Sequence, residues 1–372
     1  MTGRALLALN SGSTSLKASL YGAVADLPAL ASVELDFAAG ETPPVGRALA
    51  WADERIGGAD LIGVVHRVVH GGARTEPAIV DDALLAELDR LAPLAPLHQP
   101  PALAAVRRAA RERPQAPQVA AFDTAFHAGH APVADRFGLP RAWEERGVRR
   151  YGFHGLSYQY LVARLGRLDP KLASGKIVAC HLGGGASLCA IERGRSRATT
   201  MGLTPLDGLV MSSRSGALDP GAILYLMTEG GLSVPAVSDL LWRRSGLLGV
   251  SGISGDMQLL LASADPRAAE AVDLFVHRLV LGVGAMTAAL GGVDGLVFTG
   301  GIGAGSPEIR RRACAPLGFM GVALDEGANA KGGGLISGEA SRVAVWAFPT
   351  DEDLMMARLA LPLFTGARHG DS

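Results

Sequence analysis

Ala5-Leu-Leu-Ala-Leu-Asn-Ser-Gly-Ser-Thr-Ser-Leu-Lys-Ala-Ser-Leu-Tyr21 and Lys176-Ile-Val-Ala-Cys-His-Leu-Gly-Gly-Gly-Ala-Ser-Leu-Cys-Ala-Ile191 share one pattern. Each is an apolar run, a turn of small residues and a second run. In the first stretch Leu16, Ala18 and Leu20 alternate with Ser15, Lys17 and Ser19, the period of a strand with one face buried. Both stretches read as strand, turn, strand, the opening hairpins of two similarly built halves. The expected architecture is α/β in two lobes.

Composition agrees with that size and class. A chain of 372 residues is too long for one small core and fits one large or two medium α/β domains. Apolar residues at 48% against 19% charged exclude disorder over most of the length. With 35 basic and 36 acidic side chains, net −1, there is no basic excess for nucleic acid or an anionic membrane. The three cysteines, Cys180, Cys189 and Cys314, fit neither a disulfide framework nor a CxxC metal site and read as reduced core thiols. The apolar run Ala5–Leu9 is too short for a secretory segment, and Leu279–Val293 is too short to span a bilayer and reads as a buried helix. The expectation is a cytoplasmic protein.

A third glycine cluster, Gly300-Gly-Ile-Gly303, ends the strand-like run Gly295–Thr299. After it a helix is predicted with Ser306 as N-cap, Pro307 at its first position and Glu308 in its first turn. The Pro- and Arg-rich stretch 107–117 reads as a helix end and loop between the lobes, and 331–338 (KGGGLISG) as a flexible surface loop. Glycine-rich turns let successive backbone N–H groups face one anion, because no Cβ blocks the approach. Three such turns, one opening a helix, point to a polyphosphate ligand. No GxxxxGK[ST] motif is present, and GGIG is a poor fit to GxGxxG. Lysine occurs only at 17, 171, 176 and 331, so Lys17 stands out beside the first turn; a solvated strand residue is the alternative.

Charge inside apolar surroundings marks the next candidates. Arg67, within Val64-Val-His-Arg-Val-Val-His-Gly-Gly72, needs an anionic partner to offset desolvation. Arg214 sits in the small-residue loop Met211–Gly216. Together with the phosphate-type turns they read as an anion clamp, with structural ion pairing the alternative. Histidines 66, 70, 98, 127, 154 and 181 show no metal-ligand spacing, and most read as hydrogen-bonded core residues. His154 follows Arg149 and Arg150 and precedes Gly155, which places it in a cleft. Asp123 and Glu352 follow strand-like runs, where loops face ligands in open α/β sheets. Carboxylates there suit Mg²⁺ held through water beside ATP phosphates. Helix capping is the alternative reading for Asp351–Asp353.

Taken in order, LALNSGSTSLK (7–17), VVHRVVHGG (64–72), LAPLHQP (94–100), FDTAFH (122–127), RRYGFHG (149–155), HLGGGAS (181–187), MGLTPLDG (201–208), SRSGALDP (213–220), VFTGGIG (297–303) and FPTDEDLMMA (348–357) resemble acetate kinase. The likeness runs over nearly the whole chain. It implies an actin-like ATPase fold of the ribonuclease H type, with two duplicated lobes around a central active-site cleft. The N-terminal lobe is expected at 1–128 with 355–372, and the C-terminal nucleotide-binding lobe at 129–354. It implies reversible, Mg²⁺-dependent transfer of the ATP γ-phosphoryl group to acetate, giving acetyl phosphate and ADP, in a homodimer. By the same resemblance Arg67, Arg214, His154 and Asp123 are catalytic. Val69, Leu97, Phe153 and Pro205 form the pocket for the acetate methyl. Asn10, Ser13, Lys17, His181, Gly183, Gly184, Gly185, Asp256, Gly301, Ile302 and Gly303 bind nucleotide, and Asn10 and Glu352 serve the metal. The sequence departs from the family where Gly184 replaces an Asn and Ala304-Gly305 replaces Glu-Asn, which removes side-chain hydrogen bonds near the nucleotide. A propionate or butyrate kinase shares every catalytic residue, and a nucleotide-binding pseudoenzyme shares the fold.

Overall fold

The first strand is apolar on both faces, which makes it a central strand. In the computed structural model, which describes residues 3–12, 14–38 and 41–366, this strand, β1 (Arg4–Ser11), lies between β2 (Ser15–Gly22) and β4 (Asp60–Val68). It pairs antiparallel with β2, Asn10 opposite Lys17, and parallel with β4, Leu9 opposite His66. With β3 (Ala29–Asp36), β5 (Ala78–Ile79) and β6 (Gln118–Phe122) the sheet order is β3-β2-β1-β4-β6-β5. Side chains alternate across the sheet. Leu7 and Leu9 therefore meet Val45, Leu49 and Ala105 from helices Val45–Ile56 and Gln99–Glu112 on one face. Leu6 and Ala8 meet Leu156 and, from the last helix Glu352–Thr365, Met356 and Ala360 on the other. Leu6, Leu7 and Leu9 are at most 1% exposed, and burying a leucine contributes about 2 kcal/mol.

The second sheet repeats the first strand for strand. β7 (Lys176–Leu182) pairs antiparallel with β8 (Ala186–Glu192) and parallel with β10 (Gly295–Thr299). With β9 (Arg195–Thr199), β11 (Gly334–Leu335) and β12 (Ala344–Ala347) the order is β11-β12-β10-β7-β8-β9. Each sheet thus has an antiparallel three-strand meander, then two strands parallel to the first, then a short antiparallel edge strand. This is the duplication that the two glycine hairpins announce. The chain divides into two units, Met1–Ala128 with Phe153–Tyr160 and Asp351–Ser372, and Gly129–Gly152 with Leu161–Thr350. Relative to the expected boundaries the first unit also takes in 153–160 and 351–354. Leu156 packs in its core, and Asp353 bonds Asn10 and Ser19 on its sheet.

Four local expectations are corrected. The stretch 107–117 lies inside the first unit, as the end of helix Gln99–Glu112 and the loop into β6. Residues 331–338 are not a free loop, since β11 pairs with β12 and Ser337 bridges Leu324. Helix starts directly after β10, as Gly300–Gly305, because Gly300 takes φ +77 and lies against the Leu182 backbone where a Cβ has no room. The expected helix Pro307–Cys314 follows, its Ser306 Oγ accepting from the Ile309 N–H at 3.3 Å. Finally, Leu279–Leu290 belongs to a longer helix, Pro266–Leu290, that is buried along one face only. Its inner face carries Ala268, Val272, Phe275, Leu279 and Val283 at helical spacing, while Leu281 is exposed. By length and composition this helix could cross a membrane; one face is instead built against β7, β8 and β9.

His66 shows what burial does to a titratable group. It is buried in β4 with Nε2 2.8 Å from Gln118 Oε1, and desolvation lowers its pKa from 6.5 to about 4. The unfolded chain takes up the proton first as pH falls. Stability held by the neutral ring is therefore intact above pH 6.5 and lost on the way down to about 4, by up to roughly 3 kcal/mol. Urea denaturation of wild type and His66→Gln between pH 7 and pH 4 is expected to show a shallower fall for the variant; parallel curves would refute this.

Candidate active site

The carboxyl ends of neighbouring parallel strands are where an open α/β sheet presents its ligand groups. In the first unit β1 brings Asn10 to this edge, β4 brings Arg67, and β6 is followed at once by Asp123. Arg67 grips Asp123 through one edge of its guanidinium, Nη2 to Oδ2 at 2.7 Å and Nε to Oδ1 at 3.1 Å. Its Nη1 reaches Asn10 Oδ1 and Glu352 Oε2, each at 3.3 Å. These bonds occupy Nε, Nη1 and one hydrogen of Nη2. Three of the five N–H donors make these hydrogen bonds, Nη1 also pairs with Glu352, and the second hydrogen on Nη2 has no partner among the described residues. Burial works against the charge on Arg67, but Asp123 and then Glu352 outweigh it, and the guanidinium is held more firmly protonated than usual. Asp123, 1% exposed, is pushed up by its burial and pulled back by Arg67 and the His154 backbone N–H, with a net rise.

The N-terminus of the last helix completes the cluster. Asp351 is its cap, its Oδ1 accepting from the Leu354 N–H at 2.9 Å. That frees the next two carboxylates for other partners. Asn10 Nδ2 donates to Asp353 Oδ1 at 3.1 Å and to Glu352 Oε2 at 3.4 Å. Asp353 is 1% exposed and also takes the Ser19 hydroxyl at 2.7 Å and Lys17 Nζ at 2.9 Å. Lys17 is thus tied to Asp353, and although burial opposes its charge, Asp353 raises its pKa overall. Two cations, Arg67 and Lys17, face three carboxylates, Asp123, Glu352 and Asp353. The cluster keeps a net negative charge.

His154 has φ +58, a left-handed backbone that β-carbon residues seldom adopt. It is fixed from both sides. Its carbonyl accepts from the Tyr158 N–H at 3.1 Å at the start of helix Gly155–Leu168, and Gly155 N–H donates to the Asp123 carbonyl at 2.9 Å. A Cβ at Gly155 would overlap that carbonyl oxygen, so only glycine lets the helix start against Asp123. Strain held by its surroundings is a mark of functional sites. Phe153 is buried, its carbonyl bonded to His127 Nε2 at 2.9 Å and its ring edge-on to His70 at 5.5 Å. Val69 is buried and Leu97 half-buried. Ser13 lies outside the described residues.

The other expected residues fall in the second unit. Arg214 lies in an irregular loop. Its Nη1 donates to the Pro205 carbonyl at 2.9 Å, and its guanidinium carbon is 5.6 Å from the centre of the Trp242 ring. A cavity of about 690 Å³ is lined by Gly183, Gly184, Asp256, Gly301 and Ile302 among others. The remaining three do not line it. Gly185 closes the hairpin by accepting from the Gly183 N–H at 2.9 Å. Gly303 is buried with its carbonyl turned to Arg310, and His181 stands in β7 opposite Ser187 and Thr299.

Sequence reading passed over Asp353, Arg310, Ser212 and Gln258. Asp353 was hidden in a run of three acids for which helix capping is the alternative reading, with only Glu352 singled out for the metal. Arg310 is 1% exposed. The signal was available in its helical spacing with Ile309, Ala313 and Cys314, which are all buried. Ser212 and Gln258 line the cavity, and no local pattern distinguishes them from ordinary polar residues.

Comparison with known proteins follows this geometry. Residues 52–358 match the acetokinase family. The chain is 47% identical over 397 residues to an acetate kinase of Rhodopseudomonas palustris, covering 98% of this chain and 99% of that one. Among solved structures it superposes on an acetate kinase of Porphyromonas gingivalis with TM-score 0.83 at 33% identity, over 95% and 98% of the two chains. A propionate kinase of Francisella tularensis gives TM-score 0.87 at 29% identity, over 96% and 99%.

The Arg67–Asp123 pair makes a stability statement. Removing one partner from a buried pair strands the other charge, at about 3–5 kcal/mol, whereas replacing both with apolar groups can be close to neutral. Arg67→Met is therefore expected to lower the unfolding free energy by about 3–5 kcal/mol, with Arg67→Met/Asp123→Leu recovering more than half. A double variant that loses as much as Arg67→Met and Asp123→Leu added together, read by chemical denaturation, would show that the pair is not coupled.

Proposed function

Because the chain belongs to the acetokinase family, we propose that it transfers the γ-phosphoryl group of ATP reversibly to acetate, forming acetyl phosphate and ADP. The observation that carries this reading is the partly buried Arg67–Asp123–Glu352–Asn10 cluster, where strand ends meet the first turn of the last helix. A carboxylic acid with a pKa near ~4 is ionised at neutral pH, so the acceptor needs no general base. The obstacle is repulsion between a carboxylate and a polyphosphate. Catalysis then consists of positioning and charge neutralisation. Arg67, held rigid by Asp123, turns its remaining donor toward the acetate carboxylate or the transferring phosphoryl. We assign Arg214 and His154 to the phosphoryl group, and Val69, Leu97, Phe153 and Pro205 to the acetate methyl. Asn10, Ser13 and Lys17 serve the phosphates, with Lys17 and Asn10 oriented through Asp353. In the second unit Gly183, Gly184, Asp256, Gly301 and Ile302 hold the nucleotide, with His181, Gly185 and Gly303 beside them.

The donor set fits Mg²⁺. Among the described residues no cluster of three or more His, Cys, Asp or Glu side chains could hold a metal alone. Mg²⁺ beside a nucleotide uses one or two carboxylates, waters and the phosphates themselves. Asp123 and Glu352 are hard oxygen donors in a cluster of net negative charge, and with Asn10 they would hold the ion. When bound, Mg²⁺ neutralises charge on the β- and γ-phosphates. We also propose a cytoplasmic homodimer. Its three cysteines form no disulfide and are buried, with burial raising the Cys189 and Cys314 thiols to about 12. The second unit exposes Leu224, Tyr225 and Leu281, apolar surface that a second copy would cover.

Similarity to a propionate kinase at TM-score 0.87 supports a second reading, in which a longer acid is preferred. One methylene is worth ~1–3 kcal/mol of discrimination, so pocket volume alone separates the two. Trapping the acyl phosphate with hydroxylamine across acetate, propionate and butyrate tests both. The highest kcat/KM is expected with acetate; preference for propionate or butyrate moves the assignment to the second reading, and no product with any acid removes the kinase reading. In the same assay Arg214→Ala is expected to lower kcat by at least about a hundredfold, the scale of one lost stabiliser of transition-state charge. An unchanged kcat would remove Arg214 from the chemistry.

A further inference from the structure

Between β9 and helix Pro220–Thr228 the chain has no helix or strand over 200–219. Loops of that length without structure of their own are uncommon unless they serve a function. This one carries Pro205 and Arg214, both assigned above to the reaction. Resting on that kinase reading, we infer that Arg150 is a positioning residue. It ties together the two ends of the 201–207 turn and, through the Pro205 carbonyl, aims Arg214 at the transferring phosphoryl group.

Arg150 reaches the loop with a single nitrogen. Its Nη1 donates to the carbonyls of Thr199, Thr200 and Met201 at 3.3, 3.1 and 2.8 Å, and to Asp207 Oδ2 at 3.4 Å. Two hydrogens serve four oxygens, so the bonds are shared, with Met201 the best placed. β9 ends at Thr199, and the carbonyls at its end converge on one cation. Without that cation three carbonyl dipoles and a carboxylate would face one another, and their repulsion would spread the segment. The backbone beside Arg150 adds two ties, the Tyr151 and Gly152 N–H groups donating to the Gly202 carbonyl at 3.0 and 3.4 Å.

The base from which Arg150 reaches is itself fixed. Its own N–H donates to the Asp135 carbonyl at 2.7 Å. Asp135 Oδ1 lies 2.8 Å from His130 Nδ1, and His130 Nε2 lies 2.7 Å from Ser196 Oγ in β9. The segment 130–150 is thus fastened near the start of β9 by His130 and at its end by Arg150. The centre of the Phe137 ring lies 5.6 Å from the guanidinium carbon and covers it.

Backbone passes the constraint on to Arg214. Pro205 is buried, and its carbonyl accepts from Arg214 Nη1 at 2.9 Å. Further along, the Gly208 carbonyl accepts from the Ala217 N–H at 2.9 Å, and the Arg214 carbonyl from the Met211 N–H at 3.2 Å. A Cβ on Gly216 would overlap the Leu209 carbonyl oxygen, so the two limbs of the loop touch main chain to main chain. With no side chain between them at that contact, a shift of one limb moves the other.

The test measures kcat by hydroxylamine trapping for Arg150→Ala and Arg150→Lys, each made in the wild-type chain and in the Arg214→Ala chain. In the wild-type chain Arg150→Ala is expected to lower kcat by about tenfold to a hundredfold, the scale of a small misplacement of a reacting group. Arg150→Lys keeps one charged nitrogen for the same oxygens and is expected to fall between Ala and wild type. It carries the comparison if the alanine chain does not fold. A residue that acts by aiming Arg214 has nothing left to aim in the second background. There both substitutions are expected to lower kcat by less than about twofold, the additivity error of independent sites. A merely structural role multiplies the loss equally in both chains. The same fold loss in both backgrounds, or an unchanged kcat in Arg150→Ala, overturns the inference and leaves the kinase reading intact. No transfer to any acid by the wild-type chain overturns the reading beneath it.

Discussion

A guanidinium at the end of a buried strand governs the first unit. Arg67 follows Val64, Val65 and His66, all buried in β4, and its charge is tolerable only with anionic partners in bonding geometry. Asp123 meets it from the neighbouring strand end, and Glu352 from the first turn of the last helix. Asn10 links Arg67 to both acids of that helix. Each element that reaches this point is fixed by it. The last helix joins the first unit through these acids and through Met356 and Ala360 on the sheet.

The two units repeat a sheet order but gather different groups. In the first, charged side chains are aimed by one another, and Asp353 orders Lys17, Ser19 and Asn10 at once. In the second, Gly183, Gly184, Gly255, Gly301 and Gly305 line a cavity together with side chains such as Ser212, Asp256 and Leu261. Arg67 and Arg310 show the contrast. Arg67 is neutralised by carboxylates. Arg310 has only carbonyl partners, its burial lowers its pKa, and it serves to hold a wall.

Much of this was legible in the chain itself. The alternation 15–20, the small-residue turns and the apolar runs before Asn10, Asp123 and Thr299 marked strands and their ends. Arg67 between valines announced a buried cation. What resisted reading were residues whose partners are remote in sequence. Asp353 lies more than 300 residues from Asn10 and Ser19, so no local pattern separates it from the cap Asp351. Gly300–Gly305 turns helical despite its composition, because β10 delivers it against Leu182.

Sequence alone determined the strand order within each hairpin, the duplication and the residue types needed for anion chemistry, since those follow from periodicity, glycine geometry and the desolvation of charge. Tertiary structure decided the pairings: which acid caps a helix and which binds a cation, which arginine meets carboxylates and which is sealed inside. Those choices depend on distances between segments that the order of residues does not encode locally.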